Sequence, residues 1–366
     1  MASTSFDDTN WTGYDEYDSN SSVISSSNDN LLIDLGVHAS ADFWSNVKSD
    51  GGDIRVTNSA GDTAYSYELE NFDNTAETGI LFFNSQGLST SSDTTYRVYA
   101  GNGSASLPAD SDTLGAENVW GSFVRVYHFS ESSGSAVKDS SGNGDGTYNG
   151  ALPTQVSGNF GDAQSLDGTA DWIDSNYNPS TENPSEITVI SWWSIDDTDG
   201  TQLFGGFDGT NQWFMRASPN KIEWYTWDGT FYGIDDASVP TLSPDTWYQH
   251  VGVFDSANGY EYFRNGTSEA SNSDTTFLLP NITMGVGAGN RGGSINDPVP
   301  GDISEFRMAE TSLSSNYIST EYENQANNSN FWTNNGWTAN DQPGRIGERN
   351  SNGIGIRTSA GIGKTD

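Results

Sequence analysis

Cysteine is absent from the 366 residues. Disulfide scaffolds, thiol catalysis and zinc–thiolate centres are therefore excluded. Lysine occurs four times and arginine ten, against 34 aspartates and 16 glutamates, so the formal net charge is −36. Nothing in the chain resembles a basic patch able to neutralise phosphates, which excludes nucleic-acid binding through the backbone. The same repulsion argues against anionic membrane surfaces. No run approaches the roughly 18 consecutive apolar residues of a membrane span. The opening MASTSFDDTN and the residues up to 30 lack the apolar centre of a secretion signal.

What is present points to a β protein. Aromatic residues make up 12% of the chain, too many for a disordered polymer, and 41 glycines supply turns. A chain of this length builds a core without covalent staples. Acid excess with so little lysine reads as adaptation to concentrated salt, where the Debye length falls to about 3 Å and self-repulsion is screened. An ordinary acidic, calcium-binding extracellular protein is the alternative reading.

Along the chain, residues 1–29 are polar and of low complexity. LLIDLGVHA at 31–39 alternates as a strand does. Ile54 and Val56, then Tyr65, Tyr67 and Leu69, flank the turn Ser59-Ala60-Gly61-Asp62 as a hairpin. Two more strands, 79–83 and 95–99, complete an antiparallel β domain over 30–105. Residues 106–118 read as a linker. From 119 to 325, strand-like segments recur between Gly, Asn, Asp and Pro, the pattern of a two-sheet sandwich. One helix is expected after the last strand: Leu313, Tyr317, Ile318 and Tyr322 share a face, and Ser314 suits an N-cap. Residues 326–366 form a Gly/Asn-rich tail with four basic residues in its last 22 positions. The fold class is all-β, two consecutive β domains.

Several motifs in order carry a resemblance. These are Val126-Tyr127-His128-Phe129-Ser130-Glu131, Leu166-Asp167-Gly168 with Asp171-Trp172-Ile173, and Ile187 to Trp192 (ITVISW). Thr246 to Val251 (TWYQHV), Tyr262 to Gly266 (YFRNG) and Gly301 to Arg307 (GDISEFR) follow. The stretch resembles laminin-G-like domains of the concanavalin A-like lectin/glucanase superfamily, which implies a two-sheet jelly roll. Residues 30–105, through SDGGDIRVTN, YELENFD and TTYRVYAGNG, resemble an uncharacterised domain that accompanies laminin-G-like domains in prokaryotic surface proteins.

The candidate chemistry is binding, not catalysis. The superfamily's glucanases place carboxylates as E-x-D-x-x-E on one strand, and no such triplet occurs here. Glu68 and Glu70 share a face but lie in the other domain, and with 50 acids chance pairs are unavoidable. His128 and His250 sit inside strand motifs and read as packed histidines, and His38 is uninformative. The loop DSSGNGDG offers Asp139, Asn143 and Asp145 to a structural calcium ion, with glycines that turn carbonyls inward; Asp302 is a further candidate, and the resemblance implies such an ion. No organic cofactor is expected. Aromatics concentrate around one turn: Tyr225, Trp227, Phe231 and Tyr232, with Asp228 and Asn211 as hydrogen-bonding neighbours. Flat rings stack on the C–H faces of sugars while amides and carboxylates bond the hydroxyls. Alternation puts Ile222, Trp224 and Thr226 on one face and Glu223, Tyr225 and Trp227 on the other, so one set packs the core. The resemblance makes Trp192 a core residue, so Trp193 points the opposite way and joins the candidates.

The expected function is that of a non-enzymatic structural or adhesion protein contacting surface glycans or glycoproteins. It is expected as a homo-oligomer outside the cell, with no membrane insertion. An initiator Met without a secretion signal favours a virion surface component, a spike, turret or tail fibre assembled with other virion proteins. A secreted or cell-surface carbohydrate-binding protein of a halophilic archaeon is the alternative.

Overall fold

The computed structural model describes residues 3–150, 152–196, 201–218, 221–236 and 242–340. Strand makes up 45% of it and helix 11%, an all-β protein as expected. Among the described residues the strands form sheets of six, three, ten and eight.

The six- and three-stranded sheets build the first domain around Tyr17, Ile33, Phe43, Val56, Tyr96 and Trp332. The six-stranded order is Ser3–Ser5, Thr63–Tyr65, Arg55–Asn58, Thr95–Ala100, Gly13–Ser19 and Trp332–Ala339. Two expectations are corrected here. The polar N-terminal segment contains a strand inside the sheet, and the start of the tail returns from the second domain to pair with it. The N-terminal strand was hidden by its acids. Asp15 is fully buried, but its carboxylate accepts from Ser40 N and Oγ, both at 2.7 Å, and from Asn334 Nδ2 at 3.0 Å. A buried acid saturated in this way behaves as a core residue. The second half of LLIDLGVHA is not strand: Asp34 caps a helical turn, Leu35–His38, by accepting from Val37 N. The linker is anchored too, because the Leu114 carbonyl accepts from Tyr67 N at 3.1 Å. Residues 341–366, most of the expected tail, lie outside the described residues.

The second domain packs the ten- against the eight-stranded sheet. Their shared core takes Ile173, Phe204, Trp213 and Trp224 from the first and Val189, Trp193, Ile303 and Phe306 from the second. The strand Ile187–Ile195 is buried along its whole length. The cause is a third layer. Ile190, Trp192, Val251 and Phe263 on the outer face of the eight-stranded sheet pack against Leu32, Ile80 and Phe82 of the first domain and against the helix Ser315–Ala326. That helix is the expected one, with Ser314 accepting from Tyr317 N. Its Asn324 side chain bonds both N and O of Leu32, capping an edge that would otherwise be open. Among the described residues, no side chain of the ten-stranded sheet joins this apolar cluster with the helix and the first domain.

Charges lie in the junction. Glu68 of the first domain accepts from Trp120 Nε1 at 2.5 Å, Ser140 Oγ at 2.6 Å and His128 Nε2 at 3.1 Å, with Lys138 Nζ at 3.5 Å. His128 Nδ1 donates to Glu305 at 2.8 Å, and Phe82 stacks on the imidazole at 4.7 Å. Arg307 pairs with Glu305 and Glu321 and lies 4.4 Å over Trp120. Burial disfavours the imidazolium, yet Glu305 and Glu68 outweigh it and raise His128 to about 10. Burial also raises Glu68, but His128 outweighs it and holds the carboxyl at about 2. Burial, with the charge of Glu68, lifts Glu70 to about 7, and burial lifts Glu321 to about 7.

These shifts give stability a pH profile. The raised carboxyls Glu70 and Glu321 contribute fully below about 4.5, and that contribution is lost as pH rises through about 7. The raised His128 contributes fully below about 6.5 and loses its share as pH rises through about 10. Depressed Glu68 loses its share only as pH falls through about 2. The melting temperature at fixed salt should therefore fall between about pH 5 and pH 8. Scanning fluorimetry across that range checks it, and a melting temperature that rises there would contradict the assignment.

Candidate functional site

The strands Thr201–Phe207, Gln212–Ser218, Lys221–Trp227 and Phe231–Asp236 run side by side and antiparallel in the ten-stranded sheet. Their register sets the faces. Met215, Trp224 and Ile234 are neighbours pointing into the core. One residue on, Phe214 lies beside Tyr225 on the outer face. Two further on, Phe207, Gln212, Trp227 and Phe231 form one row across all four strands on that same outer face. All four are partly exposed, Phe231 by 39%. At about 4.8 Å per strand the row spans roughly 14 Å.

The row is backed by fixed rings. Tyr225 is only 8% exposed and stacks beneath Phe231 at 4.7 Å and 28°. Phe214 covers Gly205, where an added Cβ would run into its ring. The two hairpin tips beside the row repeat one device. In Phe207-Asp208-Gly209-Thr210 and in Trp227-Asp228-Gly229-Thr230 the aspartate Oδ1 accepts from the threonine N, at 2.8 and 3.0 Å. The glycines take φ of 98° and 110°, a region that excludes most other residues.

The expected residues separate accordingly. Trp227 and Phe231 stand in the row, Asp228 and Asn211 lie in the adjoining turns, and Tyr225 is the backing ring rather than a contact surface. Tyr232 is corrected: it pairs with Thr226 and points to the other face. Trp193 is corrected too, together with Trp192: Trp193 is the one that faces the sandwich core, where it is 0% exposed, and Trp192, expected there, points the other way against the third layer. Phe207 and Gln212 were not singled out from sequence; the repeated aromatic-Asp-Gly-Thr was the signal that could have paired the two tips.

The loop expected to hold calcium closes on protein donors. Asp139 accepts from Val126 N, Ser141 N, Ser141 Oγ and Gly144 N at 2.7–3.0 Å, and Asp145 accepts from Asp139 N. Asp302 lies five residues along its strand from Arg307, the residue paired with Val126, so it is roughly 16 Å away from that loop. Asp139, Asn143, Asp145 and Asp302 thus do not form one ligand set. Among the described residues no group of three His, Cys, Asp or Glu gathers in a way suited to a metal ion.

Two clefts lie at the domain junction. One of about 630 Å³ is lined by Asp29, Asn84, Gln86, Asn118, Val119, Gly121 and Ser122, without an aromatic wall. The other, about 490 Å³, includes Phe72, whose ring is already stacked on Trp44 at 5.7 Å. Among the residues lining them neither offers a free ring, whereas the outer row presents the partly exposed rings of Phe207, Trp227 and Phe231.

Residues 167–319 match the concanavalin A-like lectin/glucanases superfamily, in its laminin-G branch. That match lies wholly within the second domain and covers most of it. Residues 50–143 match a domain of unknown function (DUF2341). Among solved structures, the chain is similar to domain 4 of AbnA, a GH43 extracellular arabinanase from Geobacillus stearothermophilus, determined with arabinotriose. The identity is 20% and the TM-score 0.44, over 55% of this chain and 97% of that one. It is also similar to the receptor binding domain of botulinum neurotoxin C/D mosaic serotype, at 16% identity and TM-score 0.45. The binding domain of Paraclostridial Mosquitocidal Protein 1 matches at 15% and 0.46. Each of these two matches covers 56% of this chain and 52% of the other, so the chain spans about half the length of the toxin domains. No curated protein matches the chain.

Proposed function

We propose that this is a non-enzymatic glycan-recognition and adhesion protein whose contact surface is the outer face of the ten-stranded sheet. The observation that carries the reading is the in-register row Phe207, Gln212, Trp227 and Phe231, on a sheet that adds no side chain to the cluster with the helix and the first domain. Rings supply stacking surfaces for pyranose C–H faces, and the Gln212 amide supplies a donor and an acceptor for hydroxyls. The buried carboxylates Glu68, Glu305 and Glu321 are engaged with His128 and Arg307 at the junction, an arrangement that serves docking rather than hydrolysis.

The setting is a salt-rich exterior, supported by the net charge of −36. There the protein acts in several copies as a virion surface component together with other virion proteins; a secreted or cell-surface protein of a halophilic archaeon is the second reading. Single stacking contacts are weak, so avidity among copies provides firm attachment.

Replacing Trp227 by Ala should weaken glycan retention about five- to tenfold while leaving the fold intact, since the ring is partly exposed. Binding isotherms and a melting curve on the same preparation check this. A melting temperature lower by several degrees, with binding by the folded fraction unchanged, would make Trp227 a packing residue and end the proposal for this face.

A further inference from the structure

We infer that the glycan bound at this row is an acidic one, a polysaccharide bearing sugar carboxylates, and that Arg291 selects it. The inference rests on the glycan-binding reading above and adds the ligand's charge. The argument begins with how the chain uses its few cations. Ten of the fourteen basic residues fall among the described residues. Eight of them pair with a carboxylate. Arg55 is held by the carbonyls of Gly52, Ile54 and Ser106 and by the Tyr67 hydroxyl. Arg291 alone among the described residues has neither a carboxylate partner nor a hydrogen bond from its guanidinium, and it is exposed. In a chain with 50 acids, a cation left unneutralised on the surface is the exception.

Its position gives the exception a use. The strand Gly289–Arg291 runs parallel to Thr201–Phe207, with Gly205 beside Gly289 and Gly206 beside Asn290. The next step sets Arg291 beside Phe207, at the end of the aromatic row. The face is the same one, because the Phe214 ring lies over both Gly205 and Gly289. The guanidinium sits 5.4 Å over Phe207 and 6.0 Å over Phe214, which orders it without using its hydrogen-bond donors. Its planar fork is thus presented beside the rings, and that fork matches a carboxylate bidentately. The turn after Phe207 carries an acid that is engaged with the backbone. Asp208 already accepts from the backbone N–H groups of Thr210, Asn211 and Asn281.

The test uses polygalacturonate and alginate, each beside the same polymer with its carboxyls reduced to primary alcohols. Binding to the full chain is measured in about 1 M salt, where the Debye length of about 3 Å removes long-range repulsion from the acidic surface. The wild type should bind at least one carboxylated polymer about tenfold more tightly than its reduced form, the scale of one charge-assisted contact. Arg291→Gln should bring that ratio to about one, and Arg291→Lys should restore part of it. Trp227→Ala should weaken both forms together. A wild-type ratio at or below one, or an Arg291→Gln protein that keeps the preference, overturns the acidic assignment while the glycan reading stands. Failure of the wild type to bind any of the four polymers counts against both.

Discussion

Replacing Glu68 by Ala should separate the two domains thermodynamically. The carboxylate receives Trp120, Ser140 and His128 as donors and faces Lys138, all from the second domain's side of the junction. Its loss leaves a buried imidazolium with Glu305 as its one remaining carboxylate and leaves the Trp120 N–H without an acceptor. Breaking a buried pair on one side costs about 3–5 kcal/mol, far more than an exposed pair is worth. For a domain of this size that corresponds to roughly 6–20 °C in melting temperature. Calorimetry should show the transition moving down and splitting into two. Proteolysis should then cut within 106–118, which is anchored against the first domain in the wild type. A single transition within about 2 °C of the wild type would mean that the apolar contacts around Ile80, Phe82 and Phe160 hold the junction by themselves. Glu68→Gln, which keeps the shape and an acceptor, should lie between the two.

Lowering the salt should have a comparable effect by a different route. With a net charge of −36, repulsion acts over about 3 Å in molar salt but over about 10 Å at 0.1 M. The acids are spread over the whole chain, so the lower salt lets many more pairs repel at once, and dialysis should reduce the melting temperature and dissociate any oligomer. The buried junction ions are screened little in either condition. The Glu68→Ala shift should therefore persist in molar salt, which separates the two effects in one pair of melts. An equal melting temperature at 3 M and at about 0.1 M salt would remove the argument for a salt-rich setting.

The two-sheet sandwich and its helix were legible because their signals are local. Ile187 to Ile195 is dominated by β-branched and aromatic residues, and Ser314 caps a helix whose apolar residues share a face. The strands Gly13–Ser19 and Trp332–Ala339 were not legible. The first buries Asp15 by giving it three donors, and the second carries Asn334-Asn335-Gly336, which reads as a turn but absorbs a bulge opposite Asp15 and Tyr17. Neither shows an apolar alternation. At the candidate site the opposite faces of Lys221–Trp227 were readable from period two. Which rings meet was not, because register between separate strands assembled Phe207, Gln212 and Arg291 with Trp227. Trp192 and Trp193 show the same limit: alternation separates them onto two faces but does not say which face meets the other sheet, and it is Trp193 that does while Trp192 meets the third layer.

The return of Trp332–Ala339 to pair with Gly13–Ser19 also settles how the molecule carries a mechanical load. Ser3 and Asn340, the first and last of the described residues, both attach to the six-stranded sheet: Ser3 opposite Tyr65, Asn340 through the Thr12 carbonyl at 2.9 Å. A pull between those two points is transmitted strand to strand through that sheet. The lectin-like domain leaves after Thr95–Ala100 and comes back before Trp332–Ala339, so it hangs outside the line of tension. A tether under strain would load the six-stranded sheet while the row Phe207, Gln212, Trp227 and Phe231 kept its register.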